Sequence, residues 1–449
     1  MTKRKPRRSE RSQRSSSTTI TFDSALQLHV KGRMIEAESA YRELIAAGPA
    51  DSRLFHLLGR LLHQQGRCDE SIQSIRSALA TSPDDSEATN DLALILQETG
   101  ELDESATCFR RLIEIDPDNA QAWNNLGIVL KGQDHLQDAI AAFKEATRLD
   151  PMNTDSRCNL GNVYKLKGDL PESETAYRKA LSIDPSLLDV YPNLAAVLRR
   201  RGRLDQAVDI FNRWLEHEPD NPIARHLKAT CESESTPSRA SAGYIREVFD
   251  EFAKTYDEHL QDLDNRGPQL IIQALHDECL EPTTTLDILD AGCGSGLCGG
   301  LLKPFARTLV GVDLSSRMLE RADQSGLYDE LVEADLVKFL ESRQSSFDLI
   351  VVADTFGYFG DLQPAFDAIQ HALRAQGLLI CTIETDGEAT DHTTGYRLMN
   401  NGRYCHTGDY LEKSLAANNL VVSHLVSGVL RREATQPVYC VVVNARRLT

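Results

Sequence analysis

Prolines recur at Pro49, Pro83, Pro117, Pro151, Pro185 and Pro219, each 34 residues after the one before. A fixed period of this length restricts the first half of the chain to a stack of like units, because each unit can bury its apolar face only against its neighbours. Upstream of Pro151, Trp123, Leu126, Gly127 and Leu130 share one helical face, and Ala139, Phe143 and Ala146 share the face of a second helix. Gly127 and Ala139 are small, as close approach of two antiparallel helices requires. The proline stands where the second helix must stop.

Other copies read Phe55, Leu58, Gly59, Leu62, Ser71, Ala78; Leu92, Ala93, Leu96, Ser105, Phe109; Leu160, Gly161, Tyr164, Ser173, Tyr177, Ala180; and Tyr191, Leu194, Ala195, Leu198, Ala207, Phe211. The first, with Ala25, Leu28, Ala37 and Tyr41, is weaker, as an end repeat often is. Over residues 18–221 the chain resembles the tetratricopeptide repeat family. Ile223, Leu227 and Ala229 continue as an expected capping helix, so 18–230 is read as an all-α solenoid of six repeats plus a cap. Asn125, Asn159 and Asn193, preceded by Asp91, occupy one position of successive repeats. The row resembles the asparagine ladder in the repeats of O-linked N-acetylglucosamine transferases. That likeness implies a protein or peptide partner held along the concave face by amides that both donate and accept. A plainer reading of the same row is support of local helix packing.

Residues 1–17 carry seven Lys or Arg against the single acid Glu10 and are expected to be a disordered basic tail. No apolar stretch follows its Arg-Arg pair, so a secretory signal is not expected. The chain as a whole has a net charge of −18, which argues against nucleic acid as a partner of the folded body and leaves the tail as the one place for such contact. No run of about 18 apolar residues exists to span a membrane. The ten cysteines are scattered without a C-x-x-C pair. That pattern fits neither a zinc site nor a disulfide framework, so no metal is expected and a reducing cytoplasm is the simple inference.

The period ends in CESESTPSRASA, residues 231–242, a linker by composition. An amphipathic stretch from Tyr244 follows, and from Leu286 strands alternate with helices, which predicts a parallel sheet. Two last strands near 420–430 and 438–444 have no helix between them and are expected to form an antiparallel hairpin at the sheet edge. Helix 362–374 is expected to precede the fifth strand.

The segment LDILDAGCGSG delivers a buried strand into Gly292, Gly294 and Gly296, and Asp313 ends the next strand, where a carboxylate can accept both hydroxyls of a ribose. Gly294, Gly296 and Gly299 also satisfy G-x-G-x-x-G, which a dinucleotide enzyme uses. Three features decide against that. Asp290 would repel a pyrophosphate but suit a cationic amino-acid head group. Asp335 ends the third strand, placed to accept from an adenine amino group. The terminal hairpin completes seven strands.

With these residues in view, 243–449 resembles a class I S-adenosylmethionine-dependent methyltransferase, an α/β seven-stranded Rossmann-like domain. The likeness implies S-adenosyl-L-methionine as cofactor, held by Asp290, Gly292, Gly294, Gly296, Asp313, Leu314, Asp335, Leu336 and Asp354. Tyr256 is implied as a closing residue over the methionine end. YIREVFDEFAKTYDEHL, GLYDELVEADL, FDLIVVADTFGYFGDL and RYCHTGDYL are similar to a bacterial group of predicted methyltransferases fused to such repeats. The loop ADTF lacks the Asn/Asp-Pro-Pro-Tyr/Phe that grips planar amines, and no Pro-Cys nucleophile is present. Candidate bases are His406, Tyr358 and Glu384, with Arg403 and Tyr404 near the acceptor. Two readings stand: repeats that recruit a protein or peptide for methylation, or an interaction scaffold whose domain acts on a small metabolite, lipid or glycan, or is inactive.

Overall fold

The computed structural model describes residues 20–49, 51–232, 236–253, 264–385, 394–433 and 436–448. The chain divides into two compact units, one ending at Val190 and one beginning at Tyr191.

In the first unit the helices pair as the period predicts: α1 (Phe22–Val30) with α2 (Met34–Ala47), α3 (Ser52–Gln64) with α4 (Cys68–Thr81), α5 (Ser86–Glu98) with α6 (Leu102–Ile115), α7 (Ala120–Gly132) with α8 (Leu136–Leu149), and α9 (Thr154–Lys167) with α10 (Leu170–Ile183). Short polar residues start the first helix of successive pairs. Asp85, Asn119 and Asn153 each accept from a backbone N–H in the first turn, satisfying a donor that the helix cannot. A Cβ on Gly127 would lie 2.6 Å from the Phe143 ring, so with the ring where it stands the α7–α8 approach leaves no room for a side chain there. Where the second helix carries serine instead of alanine, the hydroxyl bonds across the pair: Ser71 to Gly59 O at 2.7 Å, Ser105 to Ala93 O at 2.7 Å and Ser173 to Gly161 O at 2.8 Å.

The second unit opens with the sixth pair, α11 (Val190–Arg200) and α12 (Leu204–His217), and with α13 (Pro222–Ala229), the expected cap. His226 of α13 stacks on Tyr244 with ring centroids 3.9 Å apart and bonds to Gly402 O at 2.8 Å. Burial of that imidazole depresses its pKa, so it is neutral and its Nε2–H donates. Residues 237–241, a linker by composition, are built into the fold. Ser238 O accepts from Gly360 and Asp361, Ala240 N–H donates to Tyr358 O, and Ala240 is fully buried. Serine and proline content marks irregular backbone, and irregular backbone packed on a domain has the same composition as a spacer.

After α14 (Ala242–Phe252) and helix Gly267–Asp277 comes a seven-stranded sheet: β1 (Leu286–Ala291), β2 (Ala306–Asp313), β3 (Glu330–Glu333), β4 (Phe347–Val352), β5 (Leu373–Glu384), β8 (Leu420–Glu433) and β9 (Gln436–Arg447). Their order is β3-β2-β1-β4-β5-β9-β8, with β9 antiparallel to both neighbours. Successive β1 residues face two cores, Leu289 and Ala291 on one side and Ile288 on the other, which is why the strand is apolar on both faces. The order reverses between β1 and β4, so their carboxyl ends open a crevice.

Two expectations change. The fifth strand begins at Leu373, where a helix was expected to continue to 374, because Leu373 already pairs with Phe347 before a register shift near Gln376, whose φ is +62°. A second sheet, β6 (Tyr396–Leu398) with β7 (Tyr404–His406), was not expected, since three-residue strands carry too little alternation to read.

Candidate active site

Strand β1 ends at Ala291 and the chain turns through Gly292, whose φ is +74° and whose Cβ, if present, would lie 2.3 Å from Thr355 Oγ1. Glycine is required there on both counts. Gly294 then donates its N–H to Asp313 Oδ2 at 2.9 Å, while Ser315 N–H donates to Oδ1 at 2.9 Å. Two backbone donors thus fix the carboxylate at the end of β2 and leave lone pairs for a ligand's hydroxyls.

Beneath the loop Asp290 is almost wholly buried and accepts from the Tyr328 hydroxyl at 2.7 Å. Burial pushes its pKa up to about 7, against the lowering effect of that hydrogen bond. Tyr328 also fills the space behind Gly296 and Gly299, so its ring supports the loop.

A cavity of about 410 Å³ lies at this crevice. Asp290, Gly292, Gly294, Asp313, Leu314, Leu336, Asp354 and Tyr358, all expected at the site, line it. Its roof is the apolar face of α14, with Phe249 edge-on to Tyr358 at 5.5 Å. Among the described residues, five expected site residues lie off its wall, one of them Tyr404, fully buried with its hydroxyl donating to Pro237 O at 2.9 Å. Gly296 backs onto Tyr328. Asp335 caps helix Leu336–Glu341 and ion-pairs with Arg239. Burial acts to raise the Asp335 pKa, but the Arg239 guanidinium overrides it and holds the carboxyl below its usual range.

Glu384 and His406 are the other two. Glu384 is buried between Arg403 and Arg431; desolvation is outweighed by those guanidiniums, so it stays ionised and committed. His406 is 1% exposed in β7, with its Nε2 2.9 Å from Gly360 O and its ring stacked on Tyr410. Burial drops its pKa to about 4. The expectation of a base at His406 is therefore corrected: the residue is set back from the cavity and acts as a neutral donor to a carbonyl. Tyr358 does reach the cavity, but burial raises its phenol, which stays protonated at neutral pH. Tyr256 lies outside the described residues.

The polar end of the cavity is an ion network that the sequence did not announce. Asp354 accepts from Arg403 and, at 3.1 Å, from Arg431 Nη1; Arg431 also holds Glu384 at 3.0 Å and Glu433 at 2.6 Å. The Arg403 guanidinium lies 4.6 Å over the Tyr358 ring. Two cations thus face three carboxylates, Glu384 buried and Asp354 and Glu433 half-buried. The one available signal for Arg431 is a charged residue next to Leu430 on a strand, where both prove buried around a register shift.

In the repeat row, Asn125 is 7% exposed and accepts from Gln121 Nε2 at 2.9 Å. Asn159 donates to Asn124 Oδ1 at 3.2 Å, and the equivalent Asp91 bonds to His56 Nε2 at 2.8 Å. Asn193 is half-buried in the second unit.

Residues 289–381 match a family model for a methyltransferase domain. Residues 31–86, 93–134, 135–168, 154–187 and 188–231 match models of the tetratricopeptide repeat. Methyltransferase-like protein 27 of Homo sapiens is 33% identical over 142 residues, 31% of this chain and 57% of that protein. Malonyl-[acyl-carrier protein] O-methyltransferase of Priestia megaterium is 31% identical over 140 residues, 30% of this chain and 49% of that enzyme. The chain thus spans about half the length of the curated relatives it matches. Among solved structures, MamA is 26% identical with a TM-score of 0.35, covering 36% of this chain and 95% of that one. The repeat period agrees with the repeat models and the seven-stranded sheet with the domain model: the chain is a tetratricopeptide-repeat protein that carries a methyltransferase domain.

Proposed function

We propose that the domain binds S-adenosyl-L-methionine in the crevice cavity and methylates an acceptor brought by the repeats. The observation that carries this is Asp313, clamped by the Gly294 and Ser315 amides with its remaining lone pairs toward the cavity. Gly292 leaves the close backbone approach that a bulky ligand needs. Asp313 would take the ribose hydroxyls, Asp290 and the Asp354 end the cationic head group, and Leu314 and Leu336 the faces of the adenine. When bound, the cofactor supplies an electrophilic methyl group on a sulfonium. The chain's own contribution is alignment and exclusion of water under the α14 roof.

The relative from Priestia megaterium is named for O-methylation of malonyl-[acyl-carrier protein]. An acceptor borne on a protein suits a chain with repeats, and the Asn125, Asn159 and Asn193 row is the proposed holding surface for a protein or peptide. One observation favours the alternative, a scaffold whose domain serves a small metabolite, lipid or glycan: Asn125 and Asn159 already bond within the array.

Calorimetry with S-adenosylhomocysteine tests the cofactor reading. Binding by the wild type, lost in Asp313→Ala, is the expected result; a folded wild type that binds nothing overturns it.

A further inference from the structure

Three side chains of metal-ligating type converge in the first unit from three helices, His63 and Cys68 across one turn and Glu98 from 30 residues further on. His63 is in α3, Cys68 is the first residue of α4 and Glu98 is the last of α5. His63 Nε2 lies 2.7 Å from Glu98 Oε2, and the three ligand atoms all fall within 4.8 Å of one another. His63 and Cys68 are half-buried, and Glu98 is exposed.

The array itself provides the comparison. At the position of Cys68 the other repeats carry Met34, Leu102, Leu136, Leu170 and Leu204. At the position of His63 they carry His29, Gln97, Lys131, Lys165 and Arg199, and at that of Glu98 they carry Val30, Gln64, Gly132, Leu166 and Arg200. An aliphatic residue suffices for packing at the first position, so packing does not explain the thiol. Cys68 and Glu98 are the two departures, and they meet at His63, whose counterpart in the first repeat is His29, between the second and third repeats.

We infer that His63, Cys68 and Glu98 form a site for a borderline-soft divalent ion such as Zn²⁺, which clips the second repeat to the third. Thiolate, imidazole and carboxylate are the ligand types such an ion takes, and a thiolate with an imidazole disfavours Mg²⁺ and Ca²⁺. Zn–N and Zn–O bonds of about 2.0 Å and a Zn–S bond of about 2.3 Å put tetrahedral ligand atoms roughly 3.4 Å apart. The His63–Glu98 contact therefore opens by well under an ångström, and the thiol, which lies within 4.8 Å of both, closes by no more than about 1.4 Å. Glu98 is exposed and long enough to follow. Water completes the fourth position. Binding releases the Cys68 thiol proton to solvent, moves the proton of the neutral His63 ring from Nε2 to Nδ1 by exchange with solvent, and replaces the His63–Glu98 hydrogen bond with two metal bonds. The sequence expectation of no metal rested on the lack of C-x-x-C spacing, which cannot register ligands supplied by three helices.

The test is Co²⁺ titration of the metal-free full-length protein under a phosphine reductant, followed by Zn²⁺ displacement. The expected result is one ion per chain with a thiolate-to-cobalt charge-transfer band, absent in Cys68→Leu and at least tenfold weaker in His63→Gln. Both variants restore what other repeats carry, so both are expected to fold; His63→Gln alone keeps the test decisive if Cys68→Leu does not. Zn²⁺ should raise the Tm of the wild type and leave the variants unmoved. A wild type without the band, or a band unchanged in the variants, overturns the site. Neither outcome depends on the methyltransferase reading.

Discussion

Arg239 ion-pairs with Asp335 while its guanidinium lies 4.9 Å over the Phe359 ring. The other Asp335 oxygen accepts from the Lys338 amide. The acid expected at the adenine end therefore already has a cation on one oxygen and a helix donor on the other. Replacing Arg239 by Met keeps an apolar stem over Phe359 and removes the competitor. Affinity for S-adenosylhomocysteine is predicted to rise about fivefold, equivalent to roughly 1 kcal/mol, the scale of a partly exposed ion pair. Calorimetry checks this, and a fall in affinity would instead make Arg239 part of the ligand's wall.

Asp290 gives a proton signature. Its pKa is about 7 in the fold against 3.8 unperturbed, so folding takes up a proton between those values. The resulting stability is present at low pH and falls as pH rises through that window. A cationic head group beside Asp290 favours the carboxylate, so ligand binding at pH 6 is predicted to release up to one proton. Binding enthalpies in buffers of different ionisation heat measure it. The release should vanish in Asp290→Asn and above about pH 8.

His406 has the opposite dependence. Its folded pKa of about 4 lies below the unperturbed 6.5, so the stability it allows is full above 6.5 and is lost as pH falls toward 4. The loss is on the order of 3 kcal/mol. His406→Phe should cost about 1 kcal/mol at pH 8 through the lost bond to Gly360, and should flatten the acid limb. Urea midpoints at pH 5 and pH 8 decide it. Cofactor affinity is predicted to be unchanged, and a marked change would return His406 to the site.

In the repeats, Gly127→Ala runs against helix propensity. Alanine favours an exposed helix by up to about 1 kcal/mol, but here the methyl would meet the fully buried Phe143 ring. A destabilisation of about 1–3 kcal/mol is expected, seen as a lower urea midpoint with an unchanged slope.

Much of this was legible in the chain because the signals are local. The prolines every 34 residues and the glycine turn between β1 and Asp313 are local constraints, readable wherever they occur. Arg239, Tyr328 and Arg431 were not legible, because each acts on a partner far away in sequence: Asp335, Asp290 and Asp354. His406 misled for a related reason. A histidine on a segment near the active face satisfies every local criterion for a base, and only the packing of β7 against Gly360 and Tyr410 withdraws it. Residues 231–242 read as a linker, and of them 237–241 pack on the domain, because composition reports irregular backbone and not what that backbone touches.

The seating of His226 on Tyr244 and Gly402 decides where the chain can be cut. Gly402 directly precedes Arg403, and a Cβ on Gly402 would lie 2.7 Å from the Tyr244 hydroxyl. These contacts all lie within the unit that begins at Tyr191. The sixth repeat and its cap therefore stay with the α/β domain, and a fragment that keeps the contacts begins inside the repeats.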